Sequence, residues 1–218
     1  MDIPVCIISY NCFTYVKSMV EQLLKYTSNI VIIDNCSTYP PLIEYLKTVN
    51  VKIIRMDRNY GHTVCYRPEV RNIVGNKYIV TDPDLTLNEK TPSNFIEVLS
   101  TLSDTYKVHK VGLALDITGD LRPDQKQKIS QWESQYWRNR IPHEQYELYV
   151  APIDTTFCLV NFNTGMRHDW MTQIRIAGDF TCKHRPWMIG WKNELLPGEL
   201  EYYLQNNIST TWLKENYY

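Results

Sequence analysis

Through the first third of the chain, short β-branched and aliphatic runs alternate with longer segments of helical period. That alternation restricts the fold more than any other feature, because it specifies parallel strands in one sheet with the intervening helices packed on its faces. Strands are predicted at Val5–Ser9, Ile30–Asp34, 51–56 and 78–81. Between the first two, Phe13, Val16, Val20, Leu23 and Leu24 recur at helical spacing, and Asn11 stands where a side chain caps the free amides of a helix start. Pro40 and Pro41 suit the first turn of a second helix continued by Leu42, Ile43 and Leu46, since a proline loses nothing where the amide has no intrahelical partner.

Further along, Phe95, Ile96, Leu99 and Leu102 place a helix over 92–106, and a fifth strand is predicted at 111–117. A polar helix over 123–138 carries Ile129, Trp132 and Tyr136 on one stripe, which reads as core-facing. Two adjacent strands are predicted at 148–151 and 155–161, joined around Pro152-Ile153-Asp154. The chain of 218 residues has only eight glycines and no repeat or Gly/Ser linker. One α/β domain over 1–218 is therefore expected, with a ligand-binding half to about residue 110 and a second functional half after it.

Lys and Arg number 23 against 24 Asp and Glu, so no chain-wide field draws it to nucleic acid or an anionic membrane, and any phosphate recognition must be local. Six cysteines without CxxC spacing, several inside apolar runs, read as reduced structural thiols. The N-terminal residues lack the basic region of a signal peptide, and no apolar run approaches the roughly 20 residues of a membrane span, so a cytoplasmic location is expected.

Ligands of an open parallel sheet bind beyond the carboxyl ends of its strands. The residues there are polar: Ser9-Tyr10-Asn11, then Asp34-Asn35, then a third loop holding Arg58, His62 and Arg67, and then Thr81 followed by Asp82-Pro83-Asp84. No GxGxxG follows the first strand and no GxxxxGK[ST] occurs, which argues against dinucleotide and P-loop folds. A sugar nucleotidyltransferase would carry a Gly-rich, Arg-containing loop where this chain has Ser-Tyr-Asn. An Asp-x-Asp pair is weak by itself, but here it ends an apolar strand. Two carboxylates at that tip repel unless solvated or neutralised, and a magnesium or manganese ion shared with substrate phosphates would neutralise them.

The blocks Val5-Cys6-Ile7-Ile8-Ser9-Tyr10-Asn11 and Val31-Ile32-Ile33-Asp34-Asn35-Cys36-Ser37-Thr38, followed by the Asp-x-Asp strand end, resemble GT-A glycosyltransferases, especially family 2. The resemblance implies a nucleotide-sugar donor and Mn2+ or Mg2+. Tyr10 and Asn11 then flank the base, Asp34 accepts from uracil N3, Asp82 faces the ribose or metal, and Asp84 is the main metal ligand. A carboxylate at Asp34 has its own chemical sense, since uracil N3 is a donor, and UDP is the favoured nucleotide. The other reading of Asp34 is a turn cap. Arg58, His62 and Arg67 are basic groups near the diphosphate in this picture.

The resemblance extends to Tyr149 through Phe157, to Ile176 through Trp187, and to the stretch from Glu199 to Trp212, segments similar to those of a bacterial and viral subset. The chain also resembles a glycosyltransferase domain that large algal viruses encode within longer glycan-building proteins. It implies a His completing the metal shell, for which His184 is the best match, with Lys183 and Arg185 beside it suited to phosphate oxygens. Asp154 is expected near the reacting sugar as acceptor-binding group or base, with Asp179 in reserve. Trp187, Trp191 and Tyr149 are possible platforms for sugar faces. The expected reaction moves a hexose or deoxyhexose from a UDP-sugar to a glycan acceptor. GDP- or dTDP-sugars, or a catalytically silent glycan-binding protein, are the competing readings.

Overall fold

A computed structural model of the chain describes residues 2–164 and 173–205. Its strands are β1 (Val5–Ser9), β2 (Ile30–Asp34), β3 (Lys52–Arg55), β4 (Lys77–Thr81), β5 (Leu85–Leu87), β6 (Lys110–Leu113), β7 (Arg140–Ile141), β8 (Leu148–Val150), β9 (Cys158–Asn161), β10 (Ile174–Ile176) and β11 (Cys182–His184). The helices are α1 (Phe13–Leu23), α2 (Pro40–Thr48), α3 (Pro68–Val74), α4 (Phe95–Tyr106), α5 (Lys126–Ser134) and α6 (Glu199–Leu204).

Nine strands form one mixed sheet in the order β3-β2-β1-β4-β9-β6-β10-β8-β7. The β3, β2, β1 and β4 block is parallel, as the alternation of elements requires. β9 runs antiparallel to β4 on one side and to β6 on the other, so β6 and its parallel neighbour β10 point the same way as β1. β7, antiparallel to β8 as β8 is to β10, shares that direction, so seven of the described strands present their carboxyl ends at one edge. Beyond that edge β5 and β11 form a separate antiparallel pair.

Side chains alternate across the sheet, and both faces are covered. Val5, Ile7, Ile30 and Ile32 pack toward α1, α2 and α4 through Val16, Met19, Leu42, Phe95 and Leu99. Cys6, Ile8, Val31 and Ile33 face the opposite layer, built from Val64, Val70 and Ile153. All six cysteines are unpaired, and only Cys36 is not buried.

Several expectations are corrected. The segments 148–151 and 155–161 are not neighbours: β9 lies three strand positions from β8, with β6 and β10 between them. The connection after β8 therefore crosses the sheet face before β9 begins, which delays that strand to Cys158. α3 is not predicted by the sequence pattern, because seven residues are too few to show a helical period. α5 is shorter than 123–138, and Trp132 points outward at 51% exposure while Ile129 alone of the stripe is fully buried. Asn11 does not cap α1. Its backbone is left-handed, at φ 50, and its side-chain oxygen accepts from the Thr38 and Tyr39 amides at the start of α2.

Candidate active site

The first two loops of the carboxyl edge are locked to each other. Asn11 Nδ2 donates to the Tyr202 carbonyl at 3.0 Å and its own amide donates to Ser37 Oγ at 3.0 Å. With its oxygen also engaged, the buried Asn11 side chain serves the scaffold. Asn35 does the same for the third loop, donating to the Gly61 carbonyl and accepting from the Tyr60 amide. Asp34 is fully buried; Oδ1 accepts from the Ser37 amide at 3.0 Å, which is the turn cap, and Oδ2 lies 3.1 Å from Arg55 Nε. The Ser9 hydroxyl is buried without a hydrogen-bond partner, and the Tyr10 hydroxyl donates to the Gln205 carbonyl.

In the third loop Arg58 and Arg67 both lie over the Tyr60 ring, at 4.8 and 4.2 Å. Arg67 also pairs with Glu69, and Arg58 and His62 are exposed. The three basic residues are thus near one another on the β3 side of the edge.

At the tip of β4 the chain concentrates negative charge. The Thr81 hydroxyl donates to the Asp82 carbonyl, and the Asp82 amide donates to the Thr155 carbonyl. Thr155 Oγ1 in turn donates to Asp82 Oδ1 at 3.0 Å. Burial, then the charges of Asp84 and Asp154, push the Asp82 carboxyl up to about 8, against the opposing influence of Thr155 and His184. Pro83 turns the chain between the two aspartates into β5.

β5 explains why a residue from the far end of the chain joins this cluster. In the β5–β11 pair His184 stands opposite Leu85, and the Arg185 amide donates to the Asp84 carbonyl at 2.8 Å. His184 Nε2 consequently lies 3.4 Å from Asp84 Oδ2. Burial opposes charge on the imidazole, but Asp84, Asp82 and Glu133 together raise its pKa above the ordinary value. Asp84 Oδ1 and His184 Nδ1 are both buried and have no hydrogen-bond partner. Buried polar atoms are nearly always satisfied, so the unpartnered Asp84 oxygen beside Asp82 fits a cation delivered with a ligand, whereas His184 Nδ1 lies on the ring edge away from the Nε2 that faces Asp84. Among the described residues no three His, Cys, Asp or Glu side chains are grouped so that they could hold a metal ion by themselves.

Asp154 and its reserve, Asp179, are separated by the fold. Asp154 is exposed and is brought to the β4 tip by the Thr155–Asp82 bonds, contributing its charge to Asp82. Asp179 follows β10, three strand spacings from β4 or about 14 Å. Arg185 is consumed structurally: its guanidinium bonds Thr86, Ser18 and Glu194, which leaves Lys183 as the exposed neighbour of His184. Trp187, Trp191 and Tyr149 are buried, so the expected sugar platforms are covered. Trp212 lies outside the described residues. Sequence reasoning missed Thr155, whose role depends on a crossing that no local pattern encodes.

Comparison with known proteins agrees with this architecture. The model of glycosyl transferase family 2 matches residues 5–174. No curated protein matches the chain. The mannosyltransferase PcManGT from Pyrobaculum calidifontis, solved in complex with GDP-Man and Mn2+, superimposes with a TM-score of 0.51 at 13% identity. That alignment covers 88% of this chain and 59% of the other, so the chain spans about three-fifths of the length of that structure. TarS of S. aureus, residues 1–349, gives a TM-score of 0.44 at 14% identity over 79% of this chain and 53% of its own. The parallel β3-β2-β1-β4 block, the mixed extension through β9, and the family match over most of the chain identify a GT-A fold, and the chain belongs to glycosyl transferase family 2.

Proposed function

We propose that this protein is a metal-dependent glycosyltransferase that moves a hexose or deoxyhexose from a UDP-sugar to a glycan acceptor. The observation that carries this reading is the buried Asp84–His184 pair at the β4 tip, with one unpartnered atom on each side chain and Asp82 beside them. Asp84 and His184 would hold Mn2+ or Mg2+, with Asp82 facing the same ion or the donor ribose. A bound divalent ion supplies Lewis-acid stabilisation of the charge that develops on the diphosphate leaving group.

The remaining work falls to the protein's own groups. Ser9, Tyr10, Asn11, Asn35, Thr81 and Pro83 shape the nucleoside end of the site, with Asp34 accepting from uracil N3. Arg58, His62 and Arg67 offer positive charge to the diphosphate. Asp154, exposed beside Asp82, takes the proton of the acceptor hydroxyl. In this reading residues up to about 110 bind the donor and those after it bind the acceptor, within one domain. No helix among the described residues is long and apolar enough to cross a membrane.

The test is a thermal-shift screen of UDP-, GDP- and dTDP-sugars with and without Mn2+, since selective binding raises apparent stability by mass action. UDP with Mn2+ is expected to give the largest shift. The GDP-Man bound to PcManGT makes a guanine donor its first competitor, and a shift with GDP but not UDP overturns the nucleotide assignment. Binding without turnover of any donor would favour a silent glycan-binding protein.

A further inference from the structure

Arg175 is 5% exposed in the middle of β10, between Ile174 and Ile176, and its charge needs an explanation. Nη1 lies 2.8 Å from Oε2 of Glu133, itself 1% exposed on α5. The guanidinium sits 4.2 Å from the Tyr136 ring, and Nε donates to the Pro152 carbonyl at 3.0 Å. Buried ion pairs are weak sources of stability, because desolvating two charges offsets their attraction. What this pair does have is a direction.

Pro152 begins the crossing that carries Asp154 and Thr155 to the β4 tip, and its neighbours are tethered as well. The Ala151 amide donates to the Gln173 carbonyl, the Ile153 amide to Gln173 Oε1 at 2.7 Å, and Lys110 Nζ to the Ile153 carbonyl at 2.9 Å. The Arg175 fork reaches both the crossing and α5, a geometry that a point-like ammonium cannot copy.

We infer that Arg175, oriented by Glu133, is a positioning residue that holds the 151–155 crossing so that Asp154 stays at the reaction centre. This rests on the role proposed above for Asp154.

The test replaces both charges, Arg175→Met with Glu133→Leu, so that neither is left unpaired. Hydrogen exchange of the peptide 151–157 is measured together with UDP release from UDP-glucose and Mn2+. The double variant is expected to keep its melting temperature within a few degrees and its donor KM within about threefold. The peptide should exchange faster, and kcat should fall about a hundredfold, the scale of a 1 Å misplacement. Unchanged exchange, or faster exchange with wild-type kcat, overturns the inference. If the double variant does not fold, Arg175→Lys takes its place with the same two outcomes. Asp154→Asn, run alongside, separates the layers. If it is as active as wild type, the role of Asp154 fails and the inference with it. If it is inactive while the Arg175 variant turns over normally, only the inference fails.

Discussion

The Glu199 carboxylate accepts from the Thr14 amide at 2.7 Å and from the Thr14 hydroxyl at 2.6 Å, closing the start of α1 from a helix at the other end of the described chain. Glu199 also accepts from the Leu196 amide, and it is fully buried. A negative group at a helix N-terminus meets both the free amides and the positive end of the helix dipole. Cys12 at the cap position makes no side-chain bond, so Glu199 supplies what the local sequence omits.

Glu199→Ala should therefore cost about 2–3 kcal/mol, since charge-assisted bonds are lost and the Thr14 and Leu196 amides are orphaned. Urea unfolding measures the loss. Limited proteolysis should cut first in α6, which is fastened to the carboxyl edge of the sheet through the bond from Asn11 to the Tyr202 carbonyl. A variant as stable and as resistant as wild type would show that α6 docks independently of this carboxylate.

Asp84→Ala and His184→Ala should each weaken Mn2+-dependent UDP binding about tenfold or more, equivalent to about 1.4 kcal/mol of lost linkage. Calorimetric titration with Mn2+ and UDP reads this directly. Melting temperature without ligand should hardly fall for His184→Ala, because the pair is not the anchor of β11; the backbone ladder with β5 is. Retained metal dependence in both variants would remove the proposed metal ligands.

Asp34→Asn keeps an oxygen for the Ser37 amide but gives up the charge opposite Arg55. If Asp34 reads uracil N3, the substitution should reduce UDP affinity about tenfold and narrow the preference for UDP over dCDP-like or purine nucleotides. Equal affinity for UDP in both proteins would leave Asp34 as a turn cap alone.

Gly112→Ala should destabilise the sheet where its two halves join. A Cβ there would lie 2.6 Å from the Phe157 carbonyl oxygen and 2.7 Å from Cys158 Cβ. Neither can swing away, because Phe157 O accepts from the Leu113 amide and Cys158 is held between β4 and β6. Forced overpacking of this kind costs about 1–3 kcal/mol. Denaturant midpoints for the two proteins decide it, and equal midpoints would mean that β6 and β9 separate more readily than their spacing implies.

Much of the parallel β3-β2-β1-β4 half was legible in the residues alone. The β-branched runs of β1, β2 and β4 fill both faces of a buried parallel sheet, and such strands must be apolar almost throughout, which makes them visible without any partner. The polar residues ending those strands stand out against that background, so Asp34, Asp82 and Asp84 could be marked for chemistry by position. Other relations depended on distance through space. Local pattern said nothing of β9 entering antiparallel between β4 and β6, because each of those pairings is between segments far apart in the chain. Placing Asp154 at the cluster and Asp179 three strands away followed from that pairing. The union of His184 with Asp84 came from another distant pairing, β5 with β11, and packing likewise decided the diversion of Arg185 into scaffold bonds and the burial of Trp187 while Trp132 faces water. Periodicity reports which side of an element is apolar; only packing decides which other element meets it, and a reaction centre is made of such meetings.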